Sequence, residues 1–266
     1  MHKPVIALST LMLFSAVVPA AELTLYAAGS LKGALSEVST AFSKATGVAV
    51  KTEFGPSGML RERIEKGEAV GVFASADMGH PRKLVSDGKT DFVVRFTGNR
   101  LCAMGKPELN LSTENVLEKA LDPSVKLGTS TPLSDPSGDY TWAIFDKAEA
   151  IRPGATAALK TKALKLVGGP QAEKIPAGRS AVPYMFATGK ADMFIAYCTT
   201  GRQAFNEGVS LTVVNLPAPL AQSADYGLVV LKGAPPEAST FALFVMSEPG
   251  QAILAKWGFD TIGGPR

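Results

Sequence analysis

Leu23-Thr24-Leu25-Tyr26-Ala27-Ala28-Gly29-Ser30-Leu31 is the stretch on which the reading of the fold turns. An apolar run ends in Gly-Ser, and Leu31, Leu35, Val38 and Phe42 then follow at helical spacing up to about Ala45. Strand, glycine-serine turn and amphipathic helix in that order make one α/β unit. The unit recurs outward. Val48–Phe54 alternates, Met59–Lys66 is a charged helix closed by Gly67, Val72–Ala74 is a short buried strand, and a helix starts near Pro81. After Gly98-Asn99, Leu101–Met104 reads as a strand, Thr113–Leu121 as a helix and Val125–Gly128 as a strand. A polar loop over Thr129–Ser137 leads into a helix from Asp139 to about Ala150. Ala181–Thr188, Met193–Tyr197, Gly227–Leu231 and a helical region over Ala238–Trp257 complete the alternation. The chain is α/β, without repeats or an obvious flexible linker. Two lobes, if present, are joined by strands acting as a hinge.

The first twenty residues read as a signal peptide. A short polar start at His2 and Lys3 precedes an apolar run from Val5 to Val18, and Val18-Pro19-Ala20 supplies small residues for cleavage after Ala20. The run is short for a membrane span, and no stop-transfer pattern follows it. The mature chain is therefore expected to be exported, periplasmic and soluble. A net charge of +3, one unit of it from Lys3, with scattered basic residues, gives no footprint for nucleic acid. Cys102 and Cys198 both lie in apolar, strand-like segments. Export permits a disulfide between them, and two buried thiols satisfy the same pattern. Of two histidines only His80 follows the leader, which excludes a histidine-based metal site. His80 precedes Pro81 in what reads as an exposed loop.

Four strand-to-helix junctions carry a serine beside glycine: Gly29-Ser30, Gly55-Pro56-Ser57-Gly58, Asp135-Pro136-Ser137-Gly138 and Gly178-Arg179-Ser180. A helix start offers free N–H groups and partial positive charge, and a serine hydroxyl adds an adjustable donor. Such junctions lie at the carboxyl ends of strands, where α/β proteins bind ligands. Serine at any one of them is explained by capping alone. Four converging ends make a cage for an anion.

At these residues the chain resembles the periplasmic molybdate-binding proteins of bacterial ABC importers, which belong to the type II periplasmic binding proteins. The likeness is strongest over Leu25–Leu35, Phe54–Ile64, Val72–Asp77, Asn99–Leu101, Thr131–Phe145 and Gly189–Thr199, and it reaches Gly258-Phe259. It implies two α/β lobes, each a mixed sheet flanked by helices, with the ligand cleft between them. Residues 21–98 plus 234–266 would form one lobe and 99–233 the other. By position Ser30 and Ser57 match the family's serine donors, and Tyr197 matches its tyrosine donor. Ser137 and Arg179 fall where the opposite lobe supplies backbone amides, with Ser180 one step from the second. The resemblance implies high-affinity capture of molybdate or tungstate as an intact oxyanion, with no direct metal ligands and no cofactor. It also implies a monomer that delivers its cargo to a membrane permease. Two departures stand out: Gly71 replaces an aspartate common in the family, and Arg179 brings a cation to a pocket that is usually uncharged. Arg179 would bond the anion, or would pair at the surface with a carboxylate such as Glu173.

Sulfate or phosphate would suit the same architecture. Phosphate calls for a carboxylate acceptor, and Asp135 and Asp139 flank Ser137. Ferric binding wants clustered tyrosines, and Tyr184 and Tyr197 are too few. An exported hydrolase lacks both a Gly-x-Ser-x-Gly elbow and a second histidine. A structural envelope protein would have no closing cleft. The chain reads as a binding protein, not an enzyme.

Overall fold

The computed structural model describes residues 22–262, so the expected leader lies outside the described residues. In chain order the elements are β1 (Glu22–Ala28), α1 (Lys32–Thr46), β2 (Ala49–Gly55), α2 (Ser57–Glu65), β3 (Val72–Ser75) and α3 (Gly79–Ser86). Then come β4 (Val94–Gly105), α4 (Val116–Leu121), β5 (Leu127–Ser130), α5 (Pro136–Ala148), α6 (Ala155–Lys162), β6 (Leu164–Val167), α7 (Ala181–Ala187) and β7 (Met193–Tyr197). The chain continues through α8 (Thr200–Asn206), β8 (Thr212–Asn215), β9 (Ser223–Val230), α9 (Pro236–Met246) and α10 (Glu248–Lys256).

The strands run in the order β2-β1-β3-β9-β4-β7-β5-β6, with β8 also on β4. β1 pairs in parallel with β2 and β3, and β5 does so with β6 and β7. Between these two parallel groups lie β9 and β4, antiparallel to each other. The first half of β4 pairs with β9, while Leu101–Gly105 pairs with β7 and Cys102–Gly105 with β8. One long strand thus serves both sheets of a two-lobed mixed α/β fold, and the register slips between Arg95 and Thr97. Gly227–Val230 lies on β3, in the sheet of the first lobe.

Period-two alternation shows why the apolar runs are nearly continuous. Leu23, Leu25 and Ala27 of β1 enter one core cluster, while Tyr26 enters another with Leu60, Phe73 and Leu84. In the second lobe Met193, Ile195 and Tyr197 face one way and Phe194 and Ala196 the other. Both faces of each sheet are covered, as parallel strands require. The chain end returns to the first lobe: the Phe42 ring of α1 meets Phe241 and Phe244 of α9 edge-on at 5.2 and 5.6 Å. The Trp257 indole N–H donates to Glu37 at 2.9 Å.

Several boundaries differ from expectation for local reasons. The helix expected from Thr113 starts at Val116, because Ser112 and Asn115 bond each other's backbone and side chain in a turn. The helix expected from Asp139 starts at Pro136, where Asp135 caps the end and proline suits the first turn. The C-terminal helical region is divided at Ser247, just before Pro249. His80 is not in an exposed loop: it lies in α3, 8% exposed, its amide donating to Asp77 Oδ1 and its Nδ1 3.1 Å from the Arg61 guanidinium. Cys102 of β4 and Cys198, just past β7, form a disulfide.

Candidate functional site

A cleft of about 720 Å³ opens where the carboxyl ends of the strands meet across the two lobes. Ser30, Ser57, Ser137, Arg179 and Tyr197 all line it. Each owes its place to a junction. Ser30 sits in the single 3-10 turn Gly29–Leu31 between β1 and α1. Ser57 is the first residue of α2, behind Pro56 in extended backbone. Ser137 is the second residue of α5, and Tyr197 ends β7.

Two of the hydroxyls meet at Ala76. The Ala76 amide donates to Ser57 Oγ at 3.2 Å, and the Tyr197 hydroxyl points at the Ala76 carbonyl at 3.4 Å. Burial holds the Tyr197 phenol far above its ordinary pKa, so it stays a donor. Ser137 Oγ, in a residue 4% exposed, has no partner among the described residues. The Ser137 amide is engaged, however: it donates to Asp135 Oδ1 at 3.0 Å. The amide expected to be free for an anion is thus held by the helix's own capping carboxylate.

The Arg179 side chain lines the cleft and pairs with a carboxylate of its own lobe. Its Nε donates to Glu207 at 2.9 Å, and Glu207 also accepts from the Ser180 amide at 2.7 Å. The expected partner Glu173 is instead engaged by Lys190 and Tyr184. The Arg179 amide bonds the Pro176 carbonyl at 3.1 Å. Its carbonyl accepts from Lys32 Nζ at 3.0 Å, a bond from the first lobe to the second. Gln203 of α8 reaches the Ser30 carbonyl at 3.2 Å, and the Gly58 amide donates to the Ser134 carbonyl at 3.0 Å. Together these contacts link the two lobes across the cleft.

Sequence reasoning missed Tyr226 and Asn99. The fully buried Tyr226 hydroxyl lies 2.9 Å from Ser30 Oγ and accepts from Asn99 Nδ2 at 3.3 Å, while its ring packs against Tyr197 at 5.5 Å. It therefore orients both a serine donor and the tyrosine donor. Tyr226→Phe leaves Asn99 and Ser30 each short of a partner, and we expect it to cost about 1–3 kcal/mol of stability. Thermal unfolding of the free protein measures this.

A family model for bacterial extracellular solute-binding proteins matches residues 23–260. An uncharacterized protein of Pasteurella multocida is 38% identical over 203 residues, 76% of this chain and 84% of that protein. The periplasmic molybdate-binding protein of Azotobacter vinelandii superposes with a TM-score of 0.72 at 21% identity, covering 92% of this chain and 100% of that one. The sulfate-binding protein SubI of Mycobacterium tuberculosis gives 0.73 at 19% identity, covering 91% and 88%. With the family model spanning nearly all the described residues, the chain belongs to the bacterial extracellular solute-binding proteins.

Proposed function

We propose that this chain captures a tetrahedral oxyanion, with molybdate and tungstate the first candidates, and delivers it to the permease of an ABC importer. The chain is a solute-binding protein of ABC-importer type, and a small solute and a permease partner come with that class. The observation that carries the oxyanion is the convergence of Ser30, Ser57, Ser137 and Tyr197 on one cleft, with the Ser137 hydroxyl buried and unpartnered among the described residues. Neutral donors at helix starts suit an anion stripped of water. Capture is reversible: an open form meets the anion, residues of both lobes close on it, and the better fit of the closed state stabilises closure. The residues are read as a carrier's rather than an enzyme's.

Phosphate is a second reading, favoured by the Asp135 carboxylate in the cleft wall, which would accept a proton that phosphate carries and sulfate lacks.

The test is thermal unfolding of ligand-stripped protein with molybdate, tungstate, sulfate, phosphate and perrhenate. A specific ligand at a hundred times its Kd adds about 2.7 kcal/mol, a shift of several degrees. Molybdate and tungstate are expected to give it and sulfate not, with Ser57→Ala reducing the shift. A shift with sulfate or phosphate alone changes the cargo. No shift with any anion ends the oxyanion reading.

A further inference from the structure

The Asp135 carboxylate folds over the start of α5, Oδ1 on the Ser137 amide at 3.0 Å. Beside it the unpartnered Ser137 hydroxyl lines the same cleft. One negative group therefore already sits on the positive end of a 13-residue helix, next to the place an anion would take. Among the described residues, the groups facing Asp135 are uncharged or acidic: Ser130 from β5, the Gly168 backbone after β6, Tyr197 from β7, Asp139 on α5 and Asp77 after β3. Of the cations lining the cleft, Lys32 donates to the Arg179 carbonyl and Arg179 Nε to Glu207. Two anionic groups at one site cannot both remain ionised without a large cost.

We propose, building on the oxyanion reading above, that Asp135 takes up one proton from water as the anion enters. Its carboxylic O–H then donates to an anion oxygen, and the Ser137 amide is released to the ligand. The anion stays fully charged and no covalent bond changes. Burial already raises this carboxyl to about 6 in the free protein, against the lowering effect of the Ser137 amide. A bound anion raises it further. Between those two values each unit fall in pH strengthens binding by up to about tenfold. Below the lower value the free protein is already protonated, and affinity levels off.

The experiment is titration calorimetry of the full mature chain with molybdate at pH 7.5, in two buffers of different ionisation enthalpy. Molybdate carries no proton at that pH, so any proton consumed goes to the protein. The native chain is expected to take up about one proton per anion. Asp135→Asn keeps an acceptor for the Ser137 amide and presents an N–H to the anion. It is expected to bind without proton uptake and with a flat pH profile from 6 to 8. Binding by the native chain without proton uptake overturns the inference, whatever the variant does. Equal uptake by native and Asp135→Asn protein assigns the proton elsewhere and overturns it too. If neither protein gives heat with molybdate, tungstate, sulfate or phosphate, the oxyanion reading itself fails and takes this inference with it.

Discussion

Gly58→Ala is expected to weaken anion binding by roughly five- to a hundredfold, the loss that an overpacking cost of about 1–3 kcal/mol produces. The unfolding midpoint of the free protein should barely move. A Cβ on Gly58 would lie 2.6 Å from the Leu133 carbonyl oxygen and 2.8 Å from that of Ser134. Both atoms are backbone, and the loop carrying them is fixed. The Leu133 amide donates to Asp139 at 2.9 Å, and the Asp135 amide donates to the Thr131 carbonyl at 3.0 Å. Leu133 is itself held at φ 68°, a left-handed conformation that leucine seldom adopts. With neither side able to yield, the methyl group has to be accommodated by separating the lobes. The Gly58–Ser134 hydrogen bond across the cleft is then lost. Each lobe keeps its own core, so only the closed state is penalised. Calorimetry with molybdate measures the affinity, and thermal unfolding without ligand supplies the control. Undiminished affinity would mean that this approach of α2 to the loop before α5 is absent from the bound state.

Replacing both cysteines, Cys102→Ala with Cys198→Ala, is expected to cost roughly 2–5 kcal/mol of stability. For a chain of this size that lowers the midpoint by about 5–15 °C. The bridge closes a loop of 96 residues, long enough for the entropic restriction of the unfolded chain to be substantial. It also ties the chain just past Tyr197 to β4, so affinity should fall along with stability. Unfolding of the native chain with and without reductant gives an independent check. Equal midpoints would show that the cross-link contributes nothing.

The strongest local signals in the chain were also the most legible. The apolar period through Leu31, Leu35, Val38 and Phe42 marked α1, and the glycine-serine junctions marked the cleft. Strands β6 and β8 were not recognised. Each is four residues long and mixes polar with apolar side chains, and their place depends on partners remote in sequence. Tyr226 was hidden for a related reason. It stands between Asp225 and Gly227 in a stretch with weak alternation, and only pairing with β3 and β4 carries it to Ser30 and Tyr197. The pairing of Cys102 with Cys198 likewise needed β7 set against β4. Asp135 is the opposite case. Its Asp-Pro-Ser-Gly sequence announces a capped helix start, and that start is what leaves the Ser137 amide occupied. Arg179 fell near its expected place, but a carboxylate from α8's end, unseen along the sequence, claimed its side chain.

The side-by-side course of β4 and β9 has a mechanical consequence. Two antiparallel strands, paired from Val94 to Arg100, form a flexure, stiff against sliding because sliding breaks the ladder, and compliant in twist. The register slip between Arg95 and Thr97 is where that twist is absorbed most readily. Strands paired in this way join the lobes more stiffly than a loose tether would, and twisting is the deformation they resist least. A stiffer linkage leaves less orientational entropy to be lost on closure, so more of the free energy of the closing contacts is left for retaining a ligand.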